Sequence, residues 1–172
     1  KMLTLAGHKD AASQAKRIVA LETKLASVQW TEVENRDPVK SYNKLDFAAL
    51  DKLTPGYQWQ GFLQASGIVG KADYLIVSQP SYLTGFASAV QELPLADWKA
   101  YFGWRLLSDY AEFLSKPFVD EDFAFKGGVL TGTKQNKPRW KRGVAVVDAA
   151  LGESVGKVYV EKHFPQQSKA RM

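Results

Sequence analysis

The chain has 172 residues, a formal net charge of +5, and 45% hydrophobic, 24% charged and 12% aromatic side chains. A chain of this size and aromatic content can bury a core, which excludes an intrinsically disordered protein. It contains no cysteine, which excludes disulfides, thiolate zinc sites and cysteine nucleophiles. No apolar run reaches the length of a membrane-spanning helix, and no signal peptide is recognisable.

Positive charge is concentrated towards the C-terminal end. Residues 126–172 contain ten Lys and Arg against three Asp and Glu, whereas residues 1–125 contain thirteen against fifteen. A basic end on a nearly neutral body permits binding to an anionic partner but does not require it. Because "KMLTLAG" reads like the tail of a helix and "FPQQSKARM" stops abruptly, we expect a piece of a longer protein.

The N-terminal quarter predicts one long helix followed by a loop. In residues 10–30 the three- and four-residue spacing of apolar residues gives one helical face, formed by Ile18, Leu21, Leu25 and Val28. Asp10 is the expected N-cap of this helix. Residues 31–45 are polar and contain Pro38, so we interpret them as a loop.

Three short helices are predicted in the middle of the chain. "DFAALDKLTP" should end at or before Thr54, because Pro55 disfavours the helical conformation of the residue that precedes it. "YQWQGFLQAS" should be closed by Gly67, and "SYLTGFASAVQEL" should be stopped by Pro94. Between the last two, "DYLIVSQP" is β-rich and is predicted as an isolated extended segment.

The next helix, "LADWKAYFGWRLLSDYAEFLSK", is apolar on nearly all sides. Trp98, Phe102, Leu106 and Phe113 share one side, and we expect the helix to end at Pro117. A helix of this kind belongs inside a larger body. Residues 118–137 contain several glycines and are predicted to be irregular.

The last helix is predicted to begin at or near Pro138, since proline suits the first helical turn. A helical wheel places six apolar residues on one stripe, which we predict to be a core stripe: Trp140, Val144, Val147, Leu151, Val155 and Val158. A second stripe carries only small side chains, at Ala145, Ala149, Gly152 and Gly156. Small residues predict close packing against another helix.

The segment "KQNKPRWKRG", residues 134–143, has five cationic residues around one Trp. On the wheel Arg139, Lys141 and Arg142 do not share a face, and Trp140 lies on the predicted core stripe. A helix that binds nucleic acid should gather its cations on one side and leave its aromatic ring free. We therefore interpret the segment as a solvated cationic helix start, with binding to nucleic acid or anionic lipid as the alternative.

No catalytic or metal-binding constellation is recognisable. His8 and His163 lie far apart and belong to no zinc-binding spacing. Asp120, Glu121 and Asp122 are consecutive, unlike the alternating ligands of an EF-hand loop, and are interpreted as a solvated acidic turn. Phosphate-loop and nucleophile-elbow motifs are absent, and Glu22 and Glu32 show no partner. We therefore predict no catalytic or metal-ligating residues and assign no substrate-binding residues.

An ordered series of segments nevertheless resembles one family. The segments are "ALETKLA", "RDPVKSYNKL", "LTPGYQWQGFL", "IVSQPSYLTGF", "LADWKAYFGWRLLSDYAEFLS", "PRWKRGVAVVDAALGESVGKVYVEKHFP" and "SKARM". From about residue 20 to residue 172 they resemble the non-catalytic helical region of the neprilysin and endothelin-converting-enzyme family of zinc metallopeptidases. Animal members usually have Cys where this chain has Gly143. With no cysteine anywhere, the resemblance favours a bacterial relative that is exported, to the periplasm or the exterior.

The resemblance implies a mainly α fold, an irregular multi-helix bundle with short extended segments that forms part of a larger helical lobe. Residues 1–172 would be a single fragment of that capping domain, without the catalytic zinc domain. Zinc and peptide hydrolysis would belong to the parent enzyme, and this chain alone would be inactive. Its partners would be the catalytic lobe of the same polypeptide and peptide substrates, not nucleic acid. The alternative is a self-standing helical module that binds an acidic partner through its basic C-terminal third.

Overall fold

A computed structural model describes residues 1–164 and 166–171, and in that part the chain is mainly helical, as predicted. In chain order the elements are α1 (Met2–Leu5), α2 (Ala11–Ala26), β1 (Asn43–Asp46), α3 (Phe47–Leu53), α4 (Trp59–Ala65), β2 (Tyr74–Val77), α5 (Pro80–Glu92), α6 (Leu95–Tyr110), α7 (Lys116–Phe123), α8 (Arg139–His163) and α9 (Gln166–Lys169). The chain divides into two compact units, residues 1–119 and a second that begins at Asp120.

The first core of the N-terminal unit is the junction of α2, α5 and α6. Leu21 and Leu25 of α2 are buried with Ala89 of α5 and Trp98 of α6. Aromatic rings also pack in this core. The ring centroids of Phe86 and Trp98 are 5.8 Å apart, in an edge-to-face arrangement. The predicted face of α2 is confirmed, because Ile18, Leu21 and Leu25 are all buried. The helix ends at Ala26, so Val28 lies beyond it and is half-buried.

Asp10 does occupy the N-cap position of α2, but its side chain accepts no hydrogen bond from the backbone there. Its Oδ1 instead accepts from the side-chain amide of Gln14 at 2.7 Å, and its Oδ2 lies 3.5 Å from Arg17. These two side-chain contacts orient the Asp10 carboxylate towards Gln14 and Arg17, and therefore away from the free N–H groups of the first turn.

A second core lies between α3, α4 and the sheet. Leu50, Trp59 and Leu63 are buried, and half-buried Leu45, Leu75 and Val77 pack on them. Burying a side chain of this size contributes about 1.5–3 kcal/mol. The core therefore depends on residues from both strands as well as from the two short helices.

The extended conformation predicted for the β-rich run is confirmed at Tyr74–Val77, but two other parts of the prediction were wrong. Asn43–Asp46 was assigned to the loop and the start of a helix, and Tyr74–Val77 was expected to be isolated, but the two strands pair antiparallel. Their register joins Asn43 to Val77 and Leu45 to Leu75. Strands of four residues carry too little alternation to be recognised, and the partner is distant in sequence.

Helix ends in the middle of the chain agree with the predictions. Thr54 follows α3, Gly67 closes α4 with a φ of +66°, and α5 ends at Glu92 before Pro94. The expected end of α6 at Pro117 was wrong. The helix stops at Tyr110, a tight turn follows at Ala111–Phe113, and Pro117 lies in the first turn of α7. Proline is as compatible with a helix start as with a helix end, so its position alone did not decide between them.

The second unit contains the end of α7, a wide helical turn at Ala124–Val129, α8 and the short α9. The prediction that residues 118–137 are irregular was wrong for their first part. One ion pair between adjacent turns, from Lys126 Nζ to Asp122 Oδ1 at 2.8 Å, supports the helical course. The predicted start of α8 is confirmed, with Pro138 at its N-cap and Arg139 as its first residue.

The predicted core stripe of α8 is exposed in this chain. Trp140 is 66% exposed, and Val144, Val147, Leu151, Val155 and Val158 are all exposed as well. No described residue from 120 onwards is buried. The periodicity was right, but it cannot tell whether the surface that covers a stripe belongs to the same 172 residues. Among the described helices, none is long and apolar enough to cross a membrane.

Candidate functional site

The residues described do not fit a zinc ion. Among them, no three His, Cys, Asp or Glu side chains converge as metal ligands. His8 and His163 are both exposed, and the ring of His163 lies 5.1 Å from that of Tyr159. A zinc site needs three or four converging donors, which these two histidines do not provide.

The acidic run Asp120–Asp122 lies on α7 and is not the turn that was predicted. Consecutive residues of a helix point about 100° apart, so these three carboxylates diverge and do not form a cation cage. Asp122 is held by Lys126. The run is therefore part of a helix surface.

The segment that carries the "RDPVKSYNKL" motif is a loop held by polar contacts, and Glu34 is its centre. Glu34 Oε1 accepts from Lys40 Nζ at 2.7 Å, and its Oε2 accepts from the backbone N–H and the hydroxyl of Thr31, both at 3.0 Å. Lys40 and the two Thr31 donors lower the pKa of Glu34 from 4.5 to about 2. Such a carboxylate stays ionised and serves as a hydrogen-bond acceptor that orders the loop.

Two residues of the motif fix the course of the loop. The backbone N–H groups of Lys40 and Val39 donate to Asp37 Oδ1 at 3.0 and 2.9 Å, and they lower the pKa of Asp37 below its ordinary value. The side-chain amide of Asn43 donates to the carbonyls of Lys40 and Val77, at 2.8 and 3.0 Å, and so ties the loop to β2. Asp37 and Asn43 therefore have structural roles in this chain.

Trp30 joins the same loop to the start of α5. Its backbone N–H donates to Gln79 Oε1 and its indole N–H donates to Ser81 Oγ, both at 2.8 Å. The ammonium of Lys40 lies 4.6 Å from the Trp30 ring centroid, on the ring face. Sequence reasoning missed these contacts, since nothing in the local pattern pairs Trp30 with residues fifty positions away.

The basic segment is placed differently from the prediction. Trp140 is exposed, so the argument that it is unavailable for stacking does not hold in this chain. The ammonium of Lys141 lies 5.4 Å from its ring centroid. In the first turns of α8, Arg139 and Arg142 are three residues apart and lie on neighbouring positions, whereas Lys141 points to another side.

Two exposed apolar faces are the remaining candidates for function. On α6 and the turn after it, Phe102, Leu106, Tyr110 and Phe113 are exposed, although Trp98 on the same helix is buried. On α8 the stripe is exposed along its whole length, and its second half borders a shallow, open depression on the surface of the helix. Large exposed apolar patches are typical of interfaces.

Comparison with known proteins identifies the family. A model of peptidase family M13, for its N-terminal region, matches residues 1–172. The chain belongs to peptidase family M13. Endothelin-converting enzyme 1 from Rattus norvegicus is 29% identical over 160 residues, covering 91% of this M13 chain and 21% of that protein. Neprilysin-11 from Caenorhabditis elegans is 27% identical over 161 residues, covering 89% and 19%.

Solved structures of a bacterial relative have the same fold. The zinc metalloprotease Zmp1 of Mycobacterium tuberculosis, in its open state, is 43% identical with a TM-score of 0.87 over 95% of this chain and 25% of that one. The same protease in complex with an inhibitor gives 43% identity and a TM-score of 0.86, covering 91% and 24%. The M13 chain thus spans about a fifth of the curated relatives and a quarter of Zmp1.

Proposed function

We propose that this chain forms part of the helical, non-catalytic lobe of a neprilysin-like zinc metalloendopeptidase. The match of the family model to all 172 residues is the observation that carries the proposal. The relatives include a zinc metalloprotease, whereas the described residues of this chain offer no zinc-binding group. The zinc and the hydrolytic residues would therefore lie elsewhere in the longer polypeptide.

Within that enzyme, the chain would wall and cap the chamber that holds the peptide, and so limit substrate size. Its partners would be the catalytic lobe of the same polypeptide and the peptide substrates. The TM-scores to the open, partially open and inhibitor-bound states of Zmp1 are 0.87, 0.81 and 0.86, which supports a region whose fold is kept in all three states. A lobe that moves as a unit during closure needs that property.

The experiment compares purified residues 1–172 with the longer polypeptide on a fluorogenic peptide. We expect hydrolysis only by the longer polypeptide, loss of hydrolysis with a zinc chelator, and recovery when zinc is added back. Chelator-sensitive hydrolysis by residues 1–172 would refute the division of roles. A longer polypeptide that cleaves a folded protein as fast as a peptide would refute the size-limiting role.

We further propose export of the parent protein, to the periplasm or the exterior. The cysteine-free sequence and the 43% identity to a bacterial protease support a bacterial origin. Cell fractionation tests the export, and co-fractionation with a cytosolic marker enzyme would contradict it. The alternative of a self-standing binding module has less support, because the family match leaves no part of the chain unassigned.

A further inference from the structure

We propose that the segment between the wide helical turn and α8 is a site of limited proteolysis, where a serine protease of trypsin-like specificity cuts the bond between Lys134 and Gln135. The proposal goes beyond the proposed function and does not depend on it. The segment consists of residues 132–138, and we call it the 132–138 segment. The reaction is hydrolysis, in which water adds across the peptide bond and leaves a carboxylate on Lys134 and a free amino group on Gln135.

The backbone of the 132–138 segment is the first argument. The N–H of Thr133 donates to the carbonyl of Gly127 at 2.8 Å, but within the described part of the chain residues 134–137 form no hydrogen bond to another backbone group. An extended peptide is recognised through its own backbone N–H and C=O groups. Residues 134–137 therefore offer these groups to a protease without the prior loss of a turn, helix or sheet.

The accessibility of the segment is the second argument. Asn136 is half-buried, and the other six residues of the 132–138 segment are exposed. No described residue from 120 onwards is buried, so this part of the chain can become extended without exposing a core. Proteases act on locally open forms of a protein, and the free energy of opening is lowest where few contacts are lost.

The side chains of the segment select both the class of protease and the bond. Its basic residues are Lys134 and Lys137, and a trypsin-like protease binds such a side chain in an acidic pocket directly before the bond that it cuts. The bond after Lys137 is made to the ring nitrogen of Pro138, and the rigid ring in that position fits serine proteases poorly. The bond after Lys134 has no such obstacle.

Basic residues in the other described loops are held by hydrogen bonds. In the loop after α4, the backbone N–H of Lys71 donates to the carbonyl of Ile68 at 2.9 Å. In the loop after α2, Lys40 donates its backbone N–H to Asp37 and its ammonium to Glu34, at 3.0 and 2.7 Å. A protease would have to break these contacts before it could bind either loop as an extended strand.

Two further basic residues lie in these loops and are restrained as well. The backbone N–H of Arg36 donates to the carbonyl of Val33 at 3.2 Å. Lys9 follows His8, whose N–H donates to the carbonyl of Leu3 at 3.1 Å, and Leu3 is buried. Extension of the chain at Lys9 would therefore disturb the N-terminal core. This comparison favours Lys134 as the first position to be cut.

The position of the cut leaves the two cores of the N-terminal unit intact. Both cores are formed by residues within 1–119. The product that ends at Lys134 should therefore stay folded, while α8 is no longer covalently joined to it. A protease that stops at a defined, folded product processes a protein, whereas one that continues degrades it.

The experiment is limited digestion with trypsin under native conditions, followed by intact mass spectrometry, of residues 1–172 and of the longer polypeptide. A zinc chelator in every digest excludes self-cleavage by the parent enzyme. Lys134→Gln removes the site, and Lys71→Gln is the matched control in another exposed loop. The double variant Lys134→Gln/Pro138→Ser makes the bond after Lys137 cleavable, and Ser keeps a suitable N-cap for α8. Urea unfolding of the uncut variants checks that their stability is unchanged.

We expect the first cut after Lys134 in both proteins, although the chain contains 23 Lys and Arg residues, and we expect the product 1–134 to resist further cutting. Lys134→Gln should slow the first cut at least about fivefold, because every remaining site must first lose a hydrogen bond or a packed contact. Lys71→Gln should leave the rate unchanged. The double variant should be cut again at close to the wild-type rate, now after Lys137.

A first cut in any other loop or within a helix would overturn the proposal. Cutting after Lys134 in residues 1–172 but not in the longer polypeptide would also overturn it, because the segment would then be covered in that protein. Immediate loss of the product 1–134 would contradict processing in favour of degradation. None of these results depends on zinc or on peptide hydrolysis, so this proposal and the proposed function are tested separately.

Discussion

Trp59 donates its indole N–H to the hydroxyl of Thr54 at 2.7 Å, and both side chains are buried. The Thr54 hydroxyl in turn donates to the carbonyl of Leu50, also at 2.7 Å. This chain of two hydrogen bonds joins the end of α3 to the start of α4. It supplies the polar contacts that a buried indole N–H and a buried hydroxyl need.

We expect Thr54→Val to lower the free energy of unfolding by about 1–3 kcal/mol, because it keeps the shape but leaves the Trp59 N–H buried without an acceptor. Urea unfolding of the purified chain measures the change. Thr54→Ser is the control, since it keeps the hydroxyl and loses only a methyl group. A Val variant as stable as wild type would show that the hydrogen bond contributes nothing.

Gly85 provides the close approach of α5 to the end of α2. A Cβ at Gly85 would lie 2.7 Å from both Cγ atoms of Val28, whose branched side chain has little freedom to move. We therefore expect Gly85→Ala to destabilise the protein by about 1–3 kcal/mol.

The matched control is Gly103→Ala on α6, where a new Cβ meets no atom within 4 Å. Removing a glycine from the middle of a helix should stabilise it by about 0.5–1 kcal/mol. In a double-mutant cycle, Val28→Ala should recover part of the loss caused by Gly85→Ala. Equal effects of the two glycine substitutions would contradict the assigned contact.

The loop centred on Glu34 predicts an acid dependence of stability. Its pKa is lowered from 4.5 to about 2 in the folded chain, so its contribution is complete above about pH 4.5 and is lost as the pH falls through 2. The difference in unfolding free energy between wild type and Glu34→Gln should therefore be largest above pH 4.5 and shrink towards pH 2. Urea unfolding of both proteins at several pH values between these limits measures this difference.

Glu32→Gln serves as the comparison, because it removes a carboxylate two residues away that takes no part in the Glu34 contacts. Lys40→Met should reduce the pH-dependent difference at Glu34, since the Lys40 hydrogen bond is the largest cause of its lowered pKa. If Glu32→Gln and Glu34→Gln gave the same pH profile, the loop network would not be its source.

Two tryptophans on different helices separate a core residue from a surface one. Trp98 is 7% exposed and Trp140 is 66% exposed. Trp98→Ala should cost about 3–5 kcal/mol, whereas Trp140→Ala in the 172-residue chain should change stability by no more than about 0.5 kcal/mol. Thermal or urea unfolding of the two variants measures both changes in stability and so distinguishes the buried tryptophan from the exposed one. A large loss for Trp140→Ala would restore its role as a core residue within this chain.

The sequence by itself determined the local structure wherever a signal repeats or a residue restricts the backbone. The buried face of α2, the end of α3 before Pro55, the close of α4 at Gly67 and the start of α8 after Pro138 follow from spacing and from Pro and Gly geometry. The ordered series of motifs also determined the family, which the match to peptidase family M13 confirms.

Only the tertiary structure decided which distant residues meet and which apolar faces are covered. The pairing of Asn43–Asp46 with Tyr74–Val77, and of Trp30 with Gln79 and Ser81, joins residues that share no local pattern. The apolar stripe of α8, from Trp140 to Val158, has the period of a core helix, yet it is exposed in this chain. Periodicity indicates that one face of a helix is apolar and suited to burial. Which surface covers that face depends on contacts between segments that are distant in sequence.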